Sequence, residues 1–232
     1  NEPLDQRHAD IAASLQAFYE EALIELLKRL NRLTGLDCLC FSGGLALNSL
    51  ANGMILEKTP FNDIFIPPMT NDCGCSLGAA LLLDPSVQAG KRPEPLSDPG
   101  LGPAFSDEII ESTLKENRLQ YRKVTNIENK TASAIAGGTI VGWFQGRMEA
   151  GPRALGHRSI LADPRDPGIK ERLNREVKHR EEFRPYAPSV LENHAGDYFE
   201  KADVSPYMLR VFTVKEEKRN TIPGVVHADG TA

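Results

Sequence analysis

Asp37-Cys-Leu-Cys-Phe-Ser-Gly-Gly-Leu-Ala-Leu-Asn48 begins as a short apolar run, turns on two glycines, and enters a segment, residues 45–57, whose apolar residues return to helical spacing. The apolar run fits a buried strand. Strand, Gly-Gly turn and helix follow in that order. This arrangement exposes backbone N–H groups at a helix N-terminus, and Gly43 and Gly44 then suit a nucleotide phosphate or ribose. A tight corner without any ligand produces the same local pattern.

Working outward, residues 9–33 place Ile11, Leu15, Phe18, Leu23, Leu26, Leu27 and Leu30 close to helical spacing, with no Pro or Gly among them. This predicts a long amphipathic helix, which Thr34-Gly35 stops. On the other side, Asp63-Ile-Phe-Ile66 reads as a second buried strand ended by Pro67-Pro68. The loop Met69-Thr-Asn-Asp-Cys-Gly74 leads into a helix over residues 75–83, where Gly78, Ala79 and Ala80 allow close packing on a sheet. Asp72 thus stands just before a helix, as an N-cap or as a ligand contact. The cysteines form two Cys-x-Cys pairs, Cys38/Cys40 and Cys73/Cys75. Zinc sites favour Cys-x-x-Cys, and residues two apart on a strand share one face, so buried free thiols are expected.

Residues 84–104 contain Pro85, Pro93, Pro95, Pro99 and Pro103, a density that marks a linker. The chain accordingly divides into a domain over residues 1–84, a Pro-rich linker over 85–104 and a second domain over 105–232. In the second, Ser106 caps a helix to Asn117, residues 119–124 read as a strand, and residues 127–136 form a helix ended by Gly137-Gly138. Thr139–Phe144 is the clearest strand of this half. Ser159–Ala162 is another, Pro167–Lys178 is a helix with proline in its first turn, and Pro185–Leu191 and Tyr207–Val214 read as strands.

Between these elements lies Gly146–Pro188, with ten Lys/Arg against seven Asp/Glu in a chain whose formal charge is −5. A cationic island in an acidic protein points to a small anion rather than a long polyanion. Gly146, Gly151, Pro152 and Gly156 hold the backbone in turns that Arg147, Arg153 and Arg158 punctuate. Guanidinium forks and free backbone N–H groups are what phosphate or carboxylate recognition requires. A solvated loop whose charges serve solubility is the alternative.

The remaining composition is that of an ordinary globular protein, 41% hydrophobic and 25% charged. No apolar run approaches the roughly 20 residues of a membrane span, and no signal-peptide pattern opens the chain, so a cytoplasmic location is expected. The acidic balance argues against a general nucleic-acid binder.

Three stretches together, Phe41-Ser-Gly-Gly-Leu-Ala-Leu-Asn48, Pro67–Ala80 and Arg147–Pro188, resemble the NodU/CmcH family of O-carbamoyltransferases over nearly the whole chain. The third is the most specific, through GPRALGHRSILADPR and the later Lys178-His-Arg-Glu-Glu-Phe-Arg-Pro-Tyr-Ala-Pro188. The resemblance implies an α/β (α+β) chain: part of an actin/Hsp70-type, Kae1-like ATPase lobe, followed by a YrdC-like domain with a twisted mixed sheet. It implies that carbamoyl phosphate and ATP give a carbamoyl-adenylate, from which the carbamoyl group passes to a hydroxyl acceptor such as a sugar or natural product. Lys178 and Arg184 match the family's carbamoyl-phosphate contacts, with Arg153 and Ser159 in the same pocket and Arg147 and Arg158 ranked below them. His157 is as well explained as a structural hydrogen-bonder as by proton transfer. Gly43, Gly44 and Asn48 match the nucleotide turn, and Asp72 matches an aspartate of a metal site that takes Mg2+ or Fe2+.

In the family an earlier lobe supplies the paired histidines beside that aspartate, and a later Arg-containing strand completes the phosphate pocket. Neither has a counterpart here, so the chain reads as a fragment of a protein roughly twice its size, inactive alone and without bound metal. Asp72 would serve a metal only together with the earlier lobe. A tRNA-modification-type (threonyl)carbamoyl enzyme and a non-catalytic nucleotide- or anion-binding module are the competing functions. Nothing in the sequence sets the oligomeric state.

Overall fold

The computed structural model describes residues 4–96 and 98–232. Asn1–Pro3 and Ser97, which fall in the expected first domain and linker, lie outside the described residues. The chain divides into two units, the first running to Ala79 and including Leu209–Val211, the second comprising Ala80–Met208 and Phe212–Ala232. Helices combine with small parallel and antiparallel sheets, which makes the chain an α/β or α+β protein. Among the described residues, no helix is long and apolar enough to cross a membrane.

In the first unit α1 spans Gln6–Thr34. Asp5 caps it by accepting the His8 N–H at 3.2 Å, and Gly35, at φ 64°, ends it by donating to the Asn31 carbonyl at 2.7 Å. Leu23, Ile24 and Leu27 are buried, but Ile11, Leu15, Phe18, Leu26 and Leu30 are exposed, so the apolar stripe is buried over only part of its length. Strand β1 (Cys38–Cys40) pairs in parallel with β2 (Asp63–Phe65), in the register Leu39↔Ile64. The expected helix over residues 45–57 is divided. A 3-10 turn occupies Gly44–Leu47, and α2 starts at Ser49 and runs to Lys58, because Asn48 caps it by accepting the Ala51 N–H at 3.0 Å. Leu23, Leu27, Leu39, Ala51, Ile55 and Phe61 form the core of this unit. Asn52, fully buried, donates to the carbonyls of Ala46 and Leu209, both at 2.8 Å.

The expectation of buried thiols is corrected, since all four cysteines are exposed. Cys38 and Cys40 flank the buried Leu39 and face the opposite side of β1, while Cys73 and Cys75 lie at the start of α3 (Gly74–Leu83), none of whose residues is buried. The strands are correspondingly less buried than their apolar composition suggests: only Leu39 is buried in β1 and Ile64 is half-buried in β2.

In the second unit the Pro-rich segment opens with the single turn α4 (Pro85–Gln88). Helix α5 (Asp107–Glu116) starts at the Ser106 cap, and α6 (Ile127–Ala136) ends at Gly137. Strand β3 (Val141–Phe144) pairs antiparallel with β4 (Arg158–Leu161), setting Trp143 opposite Ser159 and Phe144 opposite Arg158. Residues 119–124 form no strand. Arg118 turns the chain at φ 54°, and the Tyr121 hydroxyl returns to α5, donating to Glu111 at 2.9 Å. Residues 185–191 form none either, because Pro185 and Pro188 lack the N–H a ladder needs. Of the expected strand over residues 207–214, only the bridges Phe199↔Val214 and Thr213↔Thr231 exist. Phe199 and Val214 belong to a core with Ile222, Val225 and Ala232.

Candidate anion site on the basic segment

The β3–β4 connection turns at Gly146, Gly151 and Gly156, whose φ values of 58°, 103° and 100° favour glycine. Its organising side chain is one that sequence reasoning missed. Glu149 is 4% exposed, and its Oε1 accepts the backbone N–H groups of Leu155, His157 and Arg158 at 2.8, 3.3 and 3.1 Å. Burial alone would raise its pKa, but the N–H groups of Leu155, Glu149 itself, Arg158 and His157 outweigh it and hold the carboxyl below its ordinary range. The Gly156 N–H donates to Ser159 Oγ at 3.0 Å. Four backbone N–H groups of this turn, those of Leu155, Gly156, His157 and Arg158, are thus taken up within the loop rather than left free for an anion. The clue in the sequence is a single carboxylate set among glycines and arginines.

The arginines of this connection differ in their engagements. Arg147 donates from Nε to the Gly102 carbonyl at 2.6 Å and from Nη2 to that of Leu101 at 3.1 Å, holding the Pro-rich segment to the loop. The Ala150 N–H reaches the Pro99 carbonyl at 2.7 Å, and the Gly102 N–H that of Met148 at 2.8 Å. Arg158 lies with Nη1 3.8 Å from the Met148 sulfur, and Arg153 is half-buried. His157 Nε2 stands 3.6 Å from an Asp98 carboxylate oxygen.

Lys178 and Arg184 lie further along the segment. The expected helix over Pro167–Lys178 begins at Ile169 as α7 (Ile169–Arg172), after Gly168 donates to the Asp166 carboxylate at 2.8 Å. It widens into a π-helical turn over Leu173–Lys178. Asn174 within that turn is fully buried and was likewise missed. Its Nδ2 donates to the carbonyls of Glu182 and Arg184 at 3.3 and 3.0 Å, and its Oδ1 accepts from Arg180 Nε at 2.7 Å and the Tyr186 hydroxyl at 2.9 Å. A residue of modest helix propensity inside a helical run was the available signal. Among the described residues the exposed Lys178 makes no side-chain hydrogen bond or ion pair, and Arg184 has only a loose pair with Glu181 at 3.8 Å. The hairpin thus carries Arg147, Arg153, Arg158 and Ser159, and the π turn and the chain after it carry Lys178 and Arg184.

Near the end of this unit, Thr231 Oγ1 lies 2.7 Å from Asp229 Oδ1 and 3.2 Å from His227 Nδ1. Burial pushes the His227 pKa down; Asp229 opposes the shift and Lys170 adds to it.

Gly43, Gly44, Asn48 and Asp72 belong to the first unit. The Gly43 N–H is taken by the Thr70 carbonyl at 2.6 Å, and the Ser42 hydroxyl donates to the same carbonyl at 3.1 Å. A Cβ on either glycine would meet nothing within 4 Å, so the turn faces open space. Asn48 Nδ2 donates to Gln16 Oε1 at 2.7 Å. Asp72 is exposed, and no group of three or more His, Cys, Asp or Glu among the described residues could hold a metal ion.

Comparison with known proteins bears on these geometries. A family model described as Carbamoyltransferase N-terminus matches residues 2–81, and one described as Carbamoyltransferase C-terminus matches residues 132–232. Nodulation protein NolNO of Sinorhizobium fredii is 42% identical over 236 residues, an alignment covering 99% of this chain and 35% of that protein. An uncharacterized protein of Synechocystis sp. is 41% identical over 258 residues, covering 99% and 42%. Nodulation protein U of Bradyrhizobium diazoefficiens is 34% identical over 232 residues, covering 98% and 39%. The chain therefore spans about two fifths of the length of the curated relatives it matches.

Proposed function

Because the chain belongs to the carbamoyltransferase family, we propose that residues 146–188 bind carbamoyl phosphate, with Lys178, Arg184 and Arg153 as the principal cations and Arg147, Arg158 and Ser159 in support. The observation that carries this reading is the uncommitted ammonium of Lys178, in a segment where Arg165 is paired with Asp163 and Arg180 is engaged by Asn174. An exposed cation on an ordered turn, without a partner among the described residues, is suited to an external dianion.

In the whole protein the reaction runs in two stages. Water displaces phosphate from carbamoyl phosphate, and the resulting carbamate oxygen attacks the α-phosphorus of ATP, breaking the α–β bond and releasing pyrophosphate. The acceptor hydroxyl then attacks the carbamoyl carbon of the adenylate, and AMP leaves. Lys178 and Arg184 offset negative charge as it moves between oxygens, which requires positioning rather than a covalent nucleophile. In the first unit the Gly43-Gly44 turn receives the adenosine moiety of the adenylate for the second stage. Asp72 alone does not make a divalent-metal site among the described residues.

The test is product analysis. The intact protein with carbamoyl phosphate and ATP is expected to release phosphate and pyrophosphate, and AMP once a hydroxyl acceptor is added. ATP left unchanged across a panel of sugar and natural-product acceptors, with no phosphate released, overturns the reading.

A further inference from the structure

Asn174 uses its full side-chain hydrogen-bonding capacity in burial, two donors and two acceptor positions all engaged. Its backbone carbonyl also takes the N–H groups of His179 and, at 3.1 Å, Arg180. One residue thereby gathers the chain at positions 179, 180, 182, 184 and 186. The path this enforces is not one a chain adopts freely. The π turn is a rare geometry that recurs at functional sites, and His179 sits at φ 47°, a region that disfavours a residue with a β-carbon.

The gathering also sorts the cations. Arg180 is drawn inward, its guanidinium 4.7 Å from the centre of the Tyr186 ring and its Nη2 3.3 Å from the Pro185 carbonyl. Arg175 pairs with Glu176 at 3.0 Å. Lys178, which ends the π turn, and Arg184, within the gathered stretch, both remain exposed. We propose that Asn174 is a positioning residue for anion capture: by holding the Glu182 and Arg184 carbonyls against the π turn that ends at Lys178, it fixes the spacing of the two cations. This rests on the carbamoyl phosphate reading above and adds the residue that acts through Arg184.

The test is a double-mutant cycle on the intact protein, with carbamoyl phosphate as probe, inorganic phosphate as control, and a thermal melt of each variant. Asn174→Asp keeps the volume and one acceptor but turns an oxygen toward the Glu182 and Arg184 carbonyls. It is expected to weaken carbamoyl phosphate binding roughly tenfold, as is Arg184→Ala, and the double variant is expected to bind no more weakly than about the worse single one. A role in stability alone predicts a lowered melting temperature with unchanged affinity, or losses that multiply; either result overturns the assignment. Should Asn174→Asp fail to fold, Tyr186→Phe decides, since it removes only one donor to Asn174 Oδ1 and keeps the ring beneath Arg180. Its binding is expected to weaken by a few fold, and wild-type affinity overturns the assignment. Wild-type protein that does not bind carbamoyl phosphate refutes the donor reading itself, whereas binding by wild type with an unaffected Asn174→Asp refutes only the role of Asn174.

Discussion

Glu149 and Leu155 meet through a carboxylate oxygen and a backbone N–H 2.8 Å apart, and the same oxygen also takes the N–H groups of His157 and Arg158. One buried side chain therefore shapes the turn that carries Arg153 and leads into Arg158. Glu149→Ala would leave three backbone donors without their acceptor. The expected loss of stability is about 2–3 kcal/mol by urea unfolding, and about 1 kcal/mol for Glu149→Gln, which keeps an acceptor oxygen. An alanine variant as stable as wild type would remove Glu149 from this role.

Stability should fall in two stages as pH is lowered. His227 has a depressed pKa, so its contribution is fully present above the ordinary histidine value of about 6.5 and is lost as pH falls through its folded value. Glu149 and Asp163 are also depressed; the contribution of each is present above the ordinary carboxylate range and is lost as pH falls through the lowered value. For Asp163 the main cause is its hydrogen bond from Arg165. Urea unfolding followed from about pH 7.5 down to about pH 3.5 is expected to show a first decline that His227→Asn reduces and a second that Glu149→Gln reduces. A first decline of wild-type size in His227→Asn would contradict the assignment.

Gly224 is buried where a Cβ would lie 2.5 Å from Ile169 Cγ2, 2.8 Å from the Asp166 carbonyl and 3.0 Å from the Pro164 carbonyl. Two of these neighbours are backbone atoms that cannot swing away. Gly224→Ala is expected to cost roughly 1–3 kcal/mol through overpacking at the start of α7. A melting temperature equal to wild type would show that the close approach is not maintained.

What the sequence conveyed follows the range over which each signal acts. Gly35, Ser106 and Gly137 are local caps, and the helix boundaries they imply appear at α1, α5 and α6. The β-branched and aromatic residues of Thr139–Phe144 are enough to mark β3. Asn48 follows the Gly-Gly turn, and its Oδ1 accepts the Ala51 N–H as a helix cap, which is why α2 starts four residues late. Residues 185–191 are apolar enough for a strand, but their prolines prevent pairing. The two residues that organise the basic segment, Glu149 and Asn174, were not found. Each acts on backbone groups up to ten residues away, and only the folded turn brings those groups within reach. Within the candidate site, sequence pattern supplied the charged residue types, while the internal engagement of Arg147 and Arg180 depends on carbonyls that pattern does not reveal.

The central claim is that Lys178 and Arg184 hold a carbamoyl phosphate dianion, and calorimetric titration of the intact protein with carbamoyl phosphate tests it most directly. Wild type is expected to bind, and Lys178→Ala and Arg184→Ala are each expected to weaken binding by more than roughly 1.5 kcal/mol, the scale of a lost charge-assisted hydrogen bond. No heat of binding in wild type, or affinities in both variants equal to wild type, would contradict the account.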